Sequence, residues 1–160
     1  MEFTTADLCD EFPELVRVAQ LVFNDYGGIR KFAGPVQTLR VFEDNALVAD
    51  ALGTPGAGRV LVLDGGGSLR TALVGGRLAG LAGANGWAGL LVNGAVRDLV
   101  EIRGLPIGVR ALGTSPVRSG KNGKGEAGGR INFAGLTFAP GQYLYADEDG
   151  IVLADHSLTG

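Results

Sequence analysis

The chain predicts an α/β fold with an at least partly parallel sheet, and three observations carry that prediction. Short apolar stretches alternate with stretches of helical spacing, the connections between them are short, and the 28 glycines fall among Val, Leu and Ala instead of forming a repeat. At 160 residues the chain can enclose a core, burying roughly 70% of the surface it exposes when unfolded. One domain over residues 1–160 is therefore expected. Charged residues make up 19% of the chain, which together with the aliphatic content argues against disorder.

The elements follow in order. Thr4 or Thr5 can cap a helix over 6–12, which Pro13 interrupts. Residues 36–42, VQTLRVF, alternate in part and are β-branched enough for a strand. Residues 43–52 place Leu47, Val48, Ala51 and Leu52 at helical spacing, with Gly53 and Pro55 as the stop. A strand over 60–63 comes next, then a glycine turn over 65–67 read as strand-to-helix, and a helix over 76–85. Strand 88–93, a turn with a short helix over 96–105, and strand 107–112 complete the alternation. Residues 113–130 are glycine-rich, basic and too polar for core, so they read as a loop or ribbon. Three strands are expected in the tail, over 131–141, 143–147 and 150–155.

Composition excludes several classes of function. The net charge of −3 gives no global positive field for phosphate backbones, so direct nucleic-acid binding is not expected. No apolar run approaches the roughly 20 residues that span a bilayer, so no membrane partner is expected. The opening MEFTTADLCDEF carries acids where a secretory signal carries basic residues and a long apolar segment, and the expected location is cytoplasmic. The single cysteine, Cys9, has no partner for a disulfide or a thiolate metal site.

The stretch VLVLDGGGSLRTALVGG, 60–76, looks like a nucleotide loop, with an apolar strand, an acid and glycines. Such a loop needs an acid at the end of the next strand for the ribose hydroxyls. That strand instead ends in Asn93 and Gly94, with the acid delayed to Asp98, and too few strand–helix units follow. A phosphate-gripping loop at GKNGKGE fails because no Lys-Ser or Lys-Thr follows at the required spacing.

Residues 94–101, GAVRDLVE, offer other chemistry. Arg97 and Asp98 sit at the end of a buried strand, where open α/β sheets collect ligands. If this strand end neighbours Gly75, Gly76, Arg77 and Leu78, the amides opening that helix face the same crevice. A helix amino terminus attracts anions, an arginine binds a carboxylate through parallel hydrogen bonds, and one aspartate can anchor Mg²⁺ that keeps its waters. The alternative is a set of solvated turn charges.

Six stretches together resemble the RraA-like family: YGGIRKFAGP (26–35), FEDNALV (42–48), VLVLDGGGSLRTALVGG (60–76), GWAGLLVNGAVRD (86–98), IGVRALGTSP (107–116) and LYADEDGIVL (144–153). That family includes the regulator of ribonuclease E activity and metal-dependent 4-hydroxy-4-methyl-2-oxoglutarate aldolases. The resemblance implies a swivelling β/β/α fold and a ring-shaped homotrimer with sites at subunit boundaries. It implies that the amides of Gly75, Gly76, Arg77 and Leu78 bind substrate, that Arg97 holds a carboxylate of a small 2-keto acid, and that Asp98 binds a divalent cation, Mg²⁺ or Mn²⁺. The implied reaction is carbon–carbon cleavage to a pyruvate enolate, from the aldol substrate or by decarboxylation of oxaloacetate. The family's other activity implies a second possibility, inhibition of ribonuclease E by docking. One departure stands out. The aldolases commonly carry an aspartate 21 residues before the arginine, where this chain has Gly76. Members with glycine there can carry an acid three residues after the aspartate, here Glu101, although its place alone reads as an acid on a surface helix.

Other residues read as structural. His156, the one histidine, lies in the tail and reads as a surface residue, and Trp87 reads as packing. Arg118, Lys121, Lys124 and Arg130 read as a solvated loop, and ADEDG (146–150) as a turn between strands.

Overall fold

The computed structural model describes residues 2–159. In chain order its elements are α1 (Thr5–Glu11), β1 (Val16–Val18), β2 (Asn24–Asp25), β3 (Phe32–Arg40), α2 (Ala46–Leu52), β4 (Val60–Asp64), β5 (Ala72–Val74) and α3 (Gly76–Ala84). There follow β6 (Gly89–Val96), α4 (Leu99–Ile102), β7 (Gly108–Thr114), β8 (Glu126–Ala127), β9 (Ile131–Phe133), β10 (Leu136–Phe138), β11 (Tyr143–Asp147) and β12 (Gly150–Ala154).

The main sheet runs β1-β12-β11-β3-β4-β6-β7-β2, with β5 beside β6 and β8 beside β3. Its centre, β3-β4-β6-β7, is parallel, and its flanks are antiparallel. The expected mixed α/β architecture is therefore present. Successive residues of the central strands point to opposite faces. Leu61 and Leu63 of β4 join Leu90 and Val92 of β6 in a core with Val48 and Leu52 of α2 and Leu78 and Ala82 of α3. Val60, Val62 and Leu91 point the other way, into a core with the β9–β10 hairpin. Burial on both faces explains why these strands read as unbroken apolar runs.

The predicted elements 6–12, 43–52, 60–63, 76–85, 88–93, 107–112, 143–147 and 150–155 all have counterparts, with ends shifted by a few residues. Thr4 is the cap of α1, its hydroxyl accepting from the Asp7 amide at 3.0 Å. The differences have local causes. β3 starts at Phe32 because residues 32–35 pair with β11 before residues 36–40 pair with β4, so Pro35 sits where the neighbour changes. The single strand expected over 131–141 is a hairpin, turned by Ala134 and Gly135, both at positive φ. The glycine turn at 65–67 leads into β5 and not directly into a helix. β1, β2 and β5, none longer than three residues, lack the length that makes a periodicity readable. ADEDG is the tight β11–β12 turn, with Asp147 opposite Gly150.

Candidate active site

β5 and β6 run parallel, Ala72 beside Ala95 and Val74 beside Val96, so both deliver the residues that follow them to one edge of the sheet. The Arg97 amide extends that pairing, donating to the Val74 carbonyl at 3.0 Å. From there one chain passes through Gly75 into α3 and the other through Arg97 and Asp98 into α4. The two segments meet directly, because the Gly76 amide donates to Asp98 Oδ2 at 2.9 Å.

Backbone geometry aims this contact. Asp98 lies in the left-handed region, φ 63° and ψ 47°, which aspartate tolerates better than most residues. α3 has no capping side chain of its own, since its cap is Gly75. The Asp98 carboxylate supplies the missing acceptor from another segment and lies where the helix dipole favours negative charge. Gly76 is thus not a free donor: its amide is engaged and it does not line the cavity beside it. The amides of Arg77 and Leu78 lie in the first helical turn, where no intrahelical acceptor is available, and the first bond of the ladder runs from Ala79 to Gly75.

The cavity measures about 230 Å³, and Gly75, Arg77, Leu78, Arg97 and Asp98 line it. Half-buried Arg97 is oriented by a 3.2 Å hydrogen bond from Nη1 to the Pro116 carbonyl. Glu101 is exposed, yet its carboxylate lies over Gly76, where any Cβ would collide with it. A Cβ on Gly75 would likewise crowd Asp98 Oδ2, at 2.8 Å. The two glycines therefore make room for two carboxylates at one corner. Among the described residues no three His, Cys, Asp or Glu side chains converge. An Asp98–Glu101 pair suits a hard divalent cation that keeps most of its waters, as Mg²⁺ does, and not a metal that demands a full protein cage.

The rest of the lining, Asn45, Ala72, Arg118, Ser119 and Lys121, was not legible as site residues. Arg118 and Lys121 belong to the segment expected to be a solvated loop, and both are exposed as expected while also lining this cavity. Ser115 and Ser119 within the segment are buried. The Ala72 amide donates to the Val117 carbonyl at 2.7 Å, and Ser119 Oγ donates to the Ala72 carbonyl at 2.8 Å. The usable signal is topological: residues after β7 leave the same edge of a parallel sheet as residues after β6. Lys121 Nζ donates to Asn45 Oδ1 at 3.2 Å. Burial would raise the pKa of the neighbouring Asp44, but the amides of Asn122, Ala46 and Gly123 and the charge of Lys124 hold it below the ordinary value.

The Gly65–Gly67 turn contributes nothing to this cavity. Its amides at Gly65 and Gly67 donate to the Asn93 carbonyl, while Asp64 Oδ1 accepts from the Gly66 amide and from Asn93 Nδ2. The acid and all three glycine amides are therefore already engaged within the turn and with Asn93. A larger cavity of about 480 Å³ lies at the ends of β3 and β4, but its Asp64 is committed in this way. His156 is exposed, and Trp87 is buried with its indole N–H donating to the Thr54 carbonyl.

The family described as Aldolase/RraA, RraA-like, matches residues 5–153. A Thermus thermophilus protein is 53% identical over 160 residues, covering 100% of this chain and 97% of its own, and a Laribacter hongkongensis protein is 52% identical over 158, covering 99% of each. Both carry the provisional name 4-hydroxy-4-methyl-2-oxoglutarate aldolase. Among solved structures, the RNA-processing inhibitor RraA of Thermus thermophilus has a TM-score of 0.96 at 52% identity, covering 100% of this chain and 97% of its own. A Geobacillus kaustophilus protein described as an S-adenosylmethionine:2-dimethylmenaquinone methyltransferase also has a TM-score of 0.96, at 51% identity, covering 98% of this chain and 97% of its own. The matched family spans nearly the whole chain, cavity included, and this chain belongs to the RraA-like family.

Proposed function

We propose that this protein is a divalent-metal-dependent carbon–carbon lyase for small 2-keto acids. It cleaves 4-hydroxy-4-methyl-2-oxoglutarate to pyruvate, decarboxylates oxaloacetate, or does both. The observation that carries the reading is the meeting of Asp98, Arg97 and the first turn of α3 around one small cavity. The aldolase names of relatives at about half identity support it.

The chain's groups divide the work. Arg97, steadied by Pro116, offers parallel N–H donors to a substrate carboxylate. The amides of Arg77 and Leu78 point a helix terminus at developing negative charge. Asp98 and Glu101 are the residues that would hold Mg²⁺ or Mn²⁺, with Glu101 standing in for the aspartate absent at Gly76. When bound, the cation supplies Lewis acidity to the 2-keto group. In decarboxylation the C3–C4 electron pair passes into the enolate of pyruvate, carbon dioxide leaves, and a solvent proton restores the methyl group. Retro-aldol cleavage breaks the corresponding bond but also requires removal of the C4 hydroxyl proton. Decarboxylation dispenses with that base, so its rate should at least equal the aldolase rate in this chain. A homotrimer and a cytoplasmic location belong to the same proposal.

The test is pyruvate release from oxaloacetate with and without Mg²⁺, comparing the protein with Asp98→Ala. Release should require the cation and be lost in the variant. No difference would favour a second reading, a non-catalytic module that inhibits ribonuclease E by docking. That reading is supported by the similarity to the Thermus RNA-processing inhibitor and by an acidic net charge suited to basic segments of a partner.

A further inference from the structure

α2 begins in an unusual way. Asn45 is its cap residue, the place where an asparagine side chain ordinarily accepts from an amide of the first turn, yet the Asn45 side chain makes no such bond. It turns to the cavity instead, which it lines. Its Nδ2 donates to the Leu73 carbonyl at 3.1 Å, and its Oδ1 accepts from Lys121 Nζ at 3.2 Å. One N–H and one lone pair of the side-chain amide remain beyond these two bonds. The preceding residue supplies the acceptor that Asn45 withholds, because Asp44 Oδ1 accepts from the Ala46 amide at 3.1 Å.

The same carboxylate anchors a wall of the cavity. Residues 115–125, between β7 and β8, belong to no helix or strand, and Arg118, Ser119 and Lys121 line the cavity from this segment. Its first half is tied to β5, where the Val117 carbonyl and the Ser119 hydroxyl both bond Ala72. Its second half is tied to residues 43–45. The Gly120 amide donates to the Glu43 carbonyl and the Gly120 carbonyl accepts from the Asn45 amide, each at 2.9 Å. Past Gly120, the amides of Asn122 and Gly123 donate to Asp44 at 2.5 and 3.2 Å. Asp44 is 4% exposed and takes part in none of the ion pairs among the described residues, so backbone amides are what it holds. Glu43 braces this tripeptide from the other side. It sits in the left-handed region, φ 53°, which a non-glycine residue keeps only where its surroundings hold it. Its carboxylate accepts from Ser68 Oγ at 2.7 Å and from Arg70 Nε at 2.5 Å.

We infer that Asp44 is a positioning residue for this cavity. By bonding the start of α2 in place of Asn45 and holding residues 120–123, it presents the Asn45 amide and the cavity wall in one fixed arrangement before substrate arrives. The inference rests on the 2-keto acid reading above. Groups fixed beforehand need not be ordered on binding, so loss of the anchor weakens substrate binding without touching the bond-breaking step. The carboxylates of Asp98 and Glu101 stand on other segments, and Mg²⁺ affinity is independent of the anchor.

The test compares pyruvate release from oxaloacetate, Mg²⁺ affinity and amide hydrogen exchange in the full chain and its variants. Asp44→Ala removes the anchor, and the amides of Asn122 and Gly123 can turn to water because both residues are exposed. KM should rise about tenfold, with kcat and Mg²⁺ affinity changed by no more than about twofold, and the 120–123 amides should lose protection. Asp44→Asn keeps one acceptor oxygen in place and should raise KM only about two- to threefold. Gly67→Ala, a destabilised control outside the anchor, should leave KM unchanged. A KM for Asp44→Ala equal to that of the unaltered protein, or KM, kcat and Mg²⁺ affinity impaired alike, would overturn the assignment while leaving the lyase reading intact. If the unaltered protein releases no pyruvate beyond the spontaneous rate, the 2-keto acid reading fails and this assignment fails with it.

Discussion

The two glycine corners of this molecule, Gly65–Gly67 and Gly75–Gly76, follow strands of the same sheet and look alike in sequence, yet they use glycine differently. At the first corner Gly66 and Gly67 take φ of +67° and +75°, so the residue is needed for its backbone freedom, and the turn's amides bond Asn93 and Asp64. At the second corner neither φ is left-handed, and the residue is needed because it has no Cβ to displace Asp98 and Glu101. A glycine cluster after a strand thus serves either a backbone conformation or the close approach of other side chains, and φ together with the space at the missing Cβ tells which.

Substitutions can break that contrast. The largest effect is expected where the second corner meets its partner strand: Arg97→Ala and Asp98→Asn should each lower oxaloacetate turnover by about a hundredfold or more. Asparagine tolerates the left-handed backbone and keeps an acceptor for Gly76, so a thermal melt of Asp98→Asn should show a folded protein. Next comes Gly76→Ala. Helix propensity alone would favour it by about 0.5–1 kcal/mol, but the new methyl displaces Glu101, so Mg²⁺ affinity should fall about tenfold with little change in melting temperature. A metal titration that matched the unaltered protein would remove Glu101 from the proposed site.

Gly67→Ala sharpens the comparison from the other side. Nothing lies within 4 Å of the added Cβ, so only the positive φ penalises it. A loss of about 1–2 kcal/mol in denaturant unfolding is expected, with turnover per folded molecule unchanged. The smallest effect concerns Asp44. Its folded pKa is below the ordinary 3.8, so its contribution to stability is complete above that value and lost as pH falls through the lowered one. Asp44→Asn should therefore flatten the acid limb of the unfolding curve, and an acid limb identical to that of the unaltered protein would contradict the sign.

Much of this was legible in the chain. The central strands were readable because burial on both faces leaves an unbroken apolar signature, and Arg97 and Asp98 because they end such a strand. The spatial condition on which the site depended, that residues after β5 lie beside residues after β6, was not. β5 is only three residues long and its pairing is a long-range fact. Arg118 and Lys121 were hidden for a related reason: their segment is polar and glycine-rich, and what orders it is Asp44 and Ala72, far away in sequence. Gly76 was identified as a site residue from its place at the helix start, but composition cannot say whether an amide is free or already bonded.

The most direct test of the central claim is Mn²⁺ binding followed by water-proton relaxation, with and without oxalate as a stable stand-in for the pyruvate enolate. The unaltered protein should bind the ion and lose relaxation enhancement as oxalate displaces water. Asp98→Asn should lose the ion, and Arg97→Ala should keep the ion while oxalate loses its effect. Mn²⁺ that binds equally well to Asp98→Asn, or an oxalate response untouched in Arg97→Ala, would show that the two strand ends do not form one site.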